Sequence, residues 1–315
     1  MSAIKLSLCR STSSWASKFW GKKSKDNLTK AIGFFESAIR EDSGYALAYA
    51  GIADSYFDLA SHGLLPSKDC YTRALNSSLQ ALQIDDALAE AHSSLGSVRF
   101  FFEYNWLAAE MEFQRAIELN PGYAPAHAFY AFVLTSKGRF DQALSEMDLA
   151  RNLDPLSARI QSNVGLTYLY ARRYDSAIES LKKTIEKFPE AGDASGHLGN
   201  AYYLKSLYDQ ALEIFQKIDA PAGRGIVYAK TGRRAEAQKI INELIDRSKK
   251  ESGSAYEVAR LYFSIGDVDQ GFNWLYRAYA ERGQSVYLIK VDPFLDSIRS
   301  DPRYSDLLRK MNLDL

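Results

Sequence analysis

Four histidines, two cysteines and one Gly-x-Gly are the residues of this chain with the plainest chemical potential. His62, His92, His127 and His197 could ligate a metal or carry protons, but either task needs convergent partners. No second ligand stands at helical spacing from His92 or His127, so both read as packing residues. Cys9 and Cys70 are isolated, without zinc-site spacing or a disulfide framework, and read as free thiols of a reducing compartment. Gly223-Arg224-Gly225 follows no strand pattern and lacks the third glycine and downstream acid of a dinucleotide loop. It reads as a tight connection before a short helix. Asp85-Asp86 reads as a turn and helix end. There is no phosphate-binding loop, no His-Glu-x-x-His, no Gly-x-Ser-x-Gly and no kinase signature. The expectation is a chain that is not an enzyme, with no catalytic residue, no cofactor and no metal.

Charge narrows the partners. The 315 residues carry 39 basic and 39 acidic side chains, a formal net charge of zero. Basic pairs at Arg172-Arg173, Lys182-Lys183, Arg233-Arg234 and Lys249-Lys250 are separated by acids. No continuous basic stripe forms, so nucleic-acid binding by this chain alone is not expected. No apolar run reaches the roughly 18 to 20 residues of a membrane helix. A cytoplasmic protein without membrane contact is the expectation. The first residues differ: Lys5, Arg10, Lys18, Lys22, Lys23 and Lys25 precede or flank Asp26, the first acid. Ile4, Leu6 and Leu8 alternate with Lys and Ser and make no signal-peptide core. Residues 1–13 read as a basic, disordered leader.

The elements that must position any site are set by a spacing of 34 residues. Arg139-Phe140-Asp141-Gln142-Ala143 returns as Arg173-Tyr174-Asp175-Ser176-Ala177 and again as Leu207-Tyr208-Asp209-Gln210-Ala211. Around each copy, apolar residues recur three and four apart, the stripe of an amphipathic helix. Small residues (Gly165, Ala177, Gly199, Ala211) alternate with large ones (Leu181, Phe215) where two helices would meet. Pro155 and Pro189 stop the second helix of their units, and Gly138 suits a left-handed turn after the first. The unit is a hairpin of helix A and helix B. Between Ser61 and Ser67 an insertion lengthens one A–B connection by about nine residues relative to the repeat. Trp15, Phe19 and Trp20 mark an A helix for the first unit.

By these motifs the chain resembles tetratricopeptide repeat (TPR) proteins over roughly residues 12 to 282. The resemblance implies an all-α, right-handed α-α superhelix of about seven to eight hairpins over 14–282, with C-terminal capping helices over 283–315. It also implies a protein–protein interaction scaffold or adaptor. In that family helix A lines a concave groove. The groove-facing positions here are Ser93, Ser97 and Phe100; Ala128, Phe132 and Thr135; Ser162, Leu166 and Leu169; and Asn200 and Tyr203. Phe100, Phe132, Leu166 and Tyr203 would anchor a partner's extended segment or helix. The alternative is that these side chains pack on neighbouring helices or on a terminal segment. Receptors for chaperone tails carry Lys, Asn and Arg on this face. Here the matching positions are Ala50 and Asp54, Ser93 and Ser97, and Ala128 and Phe132, so no cationic clamp is expected.

Three phrases are more specific: Asn105-Trp106-Leu107-Ala108-Ala109-Glu110, Ala116-Ile117-Glu118-Leu119-Asn120-Pro121, and Phe294-Leu295-Asp296-Ser297-Ile298-Arg299-Ser300-Asp301-Pro302-Arg303. They resemble bacterial TPR arrays that follow winged-helix, kinase or cyclase domains. The second expectation is therefore the sensory half of a transcriptional or signalling protein, separated from its output domain. The stretch Phe19-Trp20-Gly21-Lys22-Lys23-Ser24-Lys25-Asp26-Asn27-Leu28 resembles a helix that continues an upstream array. An uncapped first repeat also makes self-association possible.

Overall fold

The computed structural model describes residues 24–248, 254–283 and 285–313. Cys9, Trp15, Phe19, Trp20 and the basic leader lie outside the described residues. Those described are helical, with no strand among them. In order come α1 (Lys25–Glu41), α2 (Ala46–Ser61), α3 (Ser67–Ile84), α4 (Ala89–Phe101), α5 (Trp106–Leu119) and α6 (Ala124–Ser136). Then follow α7 (Phe140–Leu153), α8 (Ala158–Tyr170), α9 (Tyr174–Lys187), α10 (Gly192–Leu204) and α11 (Tyr208–Lys217). The last are α12 (Pro221–Lys230), α13 (Arg234–Ser248), α14 (Ala255–Ser264), α15 (Val268–Ala280), two 3-10 turns (Val286–Leu288, Pro293–Ile298) and α16 (Pro302–Lys310). Even-numbered helices from α2 to α14 stand at A positions, each followed in the chain by a B helix. The helix α1 is of B type.

The hairpins form because bare A-helix backbone meets a large B-helix side chain. A Cβ added to Gly96 would lie 2.9 Å from Phe113; at Gly165 it would lie 2.4 Å from Leu181, and at Gly199 2.5 Å from Phe215. The chain reverses at one left-handed residue in every A–B connection: Gly63, Tyr104, Gly138, Arg172, Ser206, Gly232 and Gly266. Glycine takes that conformation without steric cost, whereas Tyr104, Arg172 and Ser206 hold it against their Cβ atoms.

A second regularity closes the B–A connections. The Nε2 of His92 donates to the Asp86 carbonyl at 3.0 Å, that of His127 to the Pro121 carbonyl at 3.0 Å, and the Gln161 amide to the Pro155 carbonyl at 3.3 Å. Each bond reaches back six residues and satisfies a carbonyl just past the preceding helix. Both histidines are thus structural donors.

Two local expectations need correcting. The insertion after α2 does not make a long loop: only residues 62–66 connect α2 to α3, and the two helices are 16 and 18 residues long. Lengthening both helices lets the extra residues keep their backbone hydrogen bonds. Gly223 and Gly225 are not a connection but lie inside α12, which Pro221 starts. A Cβ there would come within 2.4 Å of Phe215 and 2.5 Å of Leu261, so the glycines permit close helix packing.

The chain forms two compact units, one running to Phe129 and the other from Tyr130. In the first, Phe57 meets Phe101 edge-on at 5.1 Å and Phe129 at 5.8 Å, and Phe113 stacks on Phe129. The free thiol Cys70 is buried beside this aromatic cluster. In the second, Leu169, Leu181, Leu198 and Phe215 build one core, and Ile226, Ile241, Leu244 and Leu261 another.

Candidate interaction surface

The A-helix face of the first unit is knitted to itself. Ser93, Ser97 and Phe100, expected at the groove, are buried, and so is Ala128. The Ser97 hydroxyl returns to the Ser93 carbonyl at 3.0 Å, as small hydroxyls in helices do. The Ser94 hydroxyl donates to Asp54 at 2.6 Å, joining α4 to α2. Phe100 is fully enclosed, edge-on to Phe101 and Trp106.

The same face of the second unit carries a segment of the chain itself. Phe132, Thr135, Ser162 and Leu169 are buried there, while Leu166, Asn200 and Tyr203 remain partly exposed. Thr135 bonds back to the Ala131 carbonyl, and Ser162 Oγ has no hydrogen-bond partner. Phe132 sits edge-on to Tyr287. Leu288 and Val291 join the core of Leu169, Tyr170 and Leu198, against which Leu166 and Tyr203 pack. Tyr203 stacks on Phe294 at 5.3 Å and an interplanar angle of 13°. The tail expected only as an end cap thus divides in two. The helix α16 docks on α15 through Tyr276, Tyr279 and an Arg303–Asp269 ion pair. Residues 286–298 instead run back across α14, α10, α8 and α6.

Polar contacts fix that segment. Asp292 is fully buried, accepts from Tyr256 at 2.7 Å and caps the second 3-10 turn through the Phe294 N–H at 2.9 Å. The Arg260 guanidinium lies 3.4 Å from the Phe294 ring centroid, with Nε 3.9 Å from Asp292. Buried Nε and Nη2 of Arg260 have no hydrogen-bond acceptor. Arg172 holds Asp296 with two bonds of 2.7 Å, across 124 residues of sequence. Arg299 binds Asp296 as well and donates to the Lys290 and Asp292 carbonyls. Burial, and then the Asp292 charge, push the Tyr170 and Tyr256 hydroxyls well above the ordinary tyrosine range. Both stay neutral, and Tyr256 remains a hydrogen-bond donor.

This chemistry is recognition: two arginines and two tyrosines facing two carboxylates and an aromatic ring. Sequence reasoning placed Tyr203 at the groove but gave no site role to Arg172, Arg260, Asp292 or Asp296. The only local signal was Asp292-Pro293-Phe294, an acid, a helix-starting proline and an aromatic outside the repeat. Among the described residues no group of His, Cys, Asp and Glu could hold a metal, and no helix is long and apolar enough to cross a membrane.

Two family models, each described as tetratricopeptide repeat, match residues 103–163 and 165–225. The transcriptional regulator HilA of Salmonella typhimurium is 21% identical over 153 residues, which cover 49% of this chain and 27% of that protein. The chain spans well under half the length of the curated relatives it matches first. Among solved structures, the human IFIT1 dimer with m7Gppp-AAAA is similar at a TM-score of 0.58 and 18% identity, over 82% of this chain and 68% of that one. PilW, a type IV pilus biogenesis factor, has a TM-score of 0.53 at 16% identity, over 76% of this chain and 99% of the other. Likenesses this distant speak to the fold alone.

Proposed function

This chain is a tetratricopeptide repeat protein, and we propose that it is a non-enzymatic scaffold or adaptor that binds a segment of a partner protein on its A-helix face. One observation carries the reading. In the second unit that face already receives a polypeptide segment, seated by aromatic stacking, an apolar core and paired charges. A surface that seats residues 286–298, a stretch of non-repeat chain, has the chemistry of peptide recognition. Leu166, Asn200 and Tyr203 are the proposed contacts that a partner reaches first. Ser162, Leu169, Phe132 and Thr135 support them from beneath, whereas in the first unit Ser93, Ser97, Phe100 and Ala128 are buried in that unit's own A-helix face. The test is affinity capture from the cells that make the protein. The double variant Leu166→Asp, Asn200→Arg should lose a partner that wild type and the B-helix variant Leu107→Lys both retain. Equal recovery by all three, with unchanged circular dichroism, would overturn the reading.

A second reading is the regulatory half of a bacterial transcriptional or signalling protein. The 21% identity to a transcriptional regulator over 153 residues favours it. Intact mass of the native protein tests it: a mass clearly above the 35.4 kDa of this chain supports an attached output domain, and an equal mass removes it.

A further inference from the structure

The segment 286–298 behaves unlike the other parts of the tail. A cap closes the apolar end of a repeat array, as α16 does on α15. Residues 286–298 leave that end, after a turn with left-handed Arg282 and Ser285, and cross to residues of three other hairpins. Their conformation is short 3-10 turns, and side chains hold them in place. Those side chains form a reading order. Tyr256 and Arg260 take the first carboxylate, Tyr203 and Arg260 cover the aromatic ring, and Arg172 takes the second carboxylate in a bidentate fork. Arginine facing carboxylate in this geometry is selective as well as attractive. The Arg172–Asp296 pair is also open to competition, since the two side chains are 47% and 43% exposed.

We propose that residues 286–298 are an in-chain occupant of a peptide site, and that the site's external ligand is a partner segment of the pattern Asp-x-Phe-x-Asp. This rests on the A-helix face being the binding face. The partner engages by replacing the chain's own Asp292-Pro293-Phe294-Leu295-Asp296, so the site is closed until a competitor of matching charge and aromaticity arrives. Charge complementarity selects this occupant: Arg172 and Arg260 repel a basic segment and leave a neutral one without counter-charges.

The experiment uses the full chain and a fluorescein-labelled peptide of residues 286–299 of this sequence. In one variant, Phe294→Ala with Asp296→Asn loosens the resident segment. By anisotropy this variant should bind the peptide on the order of tenfold tighter than wild type. Adding Arg172→Glu, or replacing both aspartates of the peptide by asparagine, should remove that gain. If the double variant loses its helical circular dichroism, Asp296→Asn alone takes its place, because that side chain is half exposed. A folded, loosened variant that ignores the peptide overturns the proposal. So does equal binding of a peptide with lysine at both acidic positions, or a doubled mass by light scattering, which would make a second copy the occupant. In each of those cases the capture experiment with Leu166→Asp, Asn200→Arg decides separately whether the A-helix face binds partners at all.

Discussion

The A-helix faces of the two units use one repeat and end in opposite chemistry. In the first, hydroxyls and an acid turn inward on each other: Ser94 to Asp54, Ser97 to the Ser93 carbonyl. In the second, aromatics and arginines turn toward a foreign stretch of the same chain. What the units share lies between the helices, where Gly96 faces Phe113 and Gly165 faces Leu181. The repeat therefore constrains the contact inside each hairpin and leaves the A face to diverge.

The strongest way to break that comparison is at the shared contact. Gly165→Leu and Gly96→Leu should each cost about 1 to 3 kcal/mol in urea unfolding, because the added side chain overpacks a closed gap. The loss should be larger at Gly165, where the first added atom already lies 2.4 Å from Leu181. Equal, negligible losses would mean that the hairpins are spaced differently. Next, Phe294→Ala should destabilise the second unit alone by about 2 to 3 kcal/mol, through lost burial, stacking and the Arg260 contact. Hydrogen exchange resolved by segment should show faster exchange in α10 and α14 and no change in α2 or α4.

The smaller effects sharpen the contrast from the other side. Ser94→Ala should cost about 1 kcal/mol and act only in the first unit, since it leaves the Asp54 carboxylate short of a donor. Arg172→Ala should cost only about 0.2 to 1 kcal/mol, because an exposed pair is screened by water and salt. It should nevertheless raise exchange at 292–298. Smallest is a pH term. Both ring nitrogens of His92 face acceptors, Glu112 at 2.6 Å and the Asp86 carbonyl, the arrangement of a charged imidazole. The Glu112 hydrogen bond is the main cause that raises its pKa above the ordinary 6.5. A raised folded pKa means that the stabilisation is complete below pH 6.5 and is lost as pH rises through the folded value. His92→Gln, which can keep the carbonyl bond as Gln161 does, should flatten that decline in a stability–pH profile.

The hairpins were legible in the sequence because each is a local object. A glycine, a large side chain 16 or 17 residues later, as at Gly165 and Leu181 or Gly96 and Phe113, and a left-handed turn between them define it. Gly223 and Gly225 misled because the same residue type serves turns and close helix packing, and only the neighbours Phe215 and Leu261 distinguish the two. The tail was illegible for another reason. Arg172 sits at an ordinary repeat turn and Asp296 in a short acidic phrase. Nothing in either local pattern announces a bond across 124 residues. The side chains expected at a groove lie on A helices, but periodicity assigns a direction and not what already stands there. For Phe132 and Tyr203 that occupant is Tyr287 and Phe294.

A repeat array is ordinarily free to gain or lose units, because each hairpin touches only its neighbours and stability adds along the line. The Arg172–Asp296 fork removes that freedom from this one. Insert or delete one hairpin between α9 and α15, and the aspartate arrives a whole repeat away from its arginine. The ring of contacts through Tyr203, Arg260 and Phe294 would fall out of step with it. An open-ended stack has thereby become a counted one. Its second unit must complete its full number of hairpins before the last segment can find its place, so its folding should be slower and more all-or-none than a chain of independent repeats of equal length.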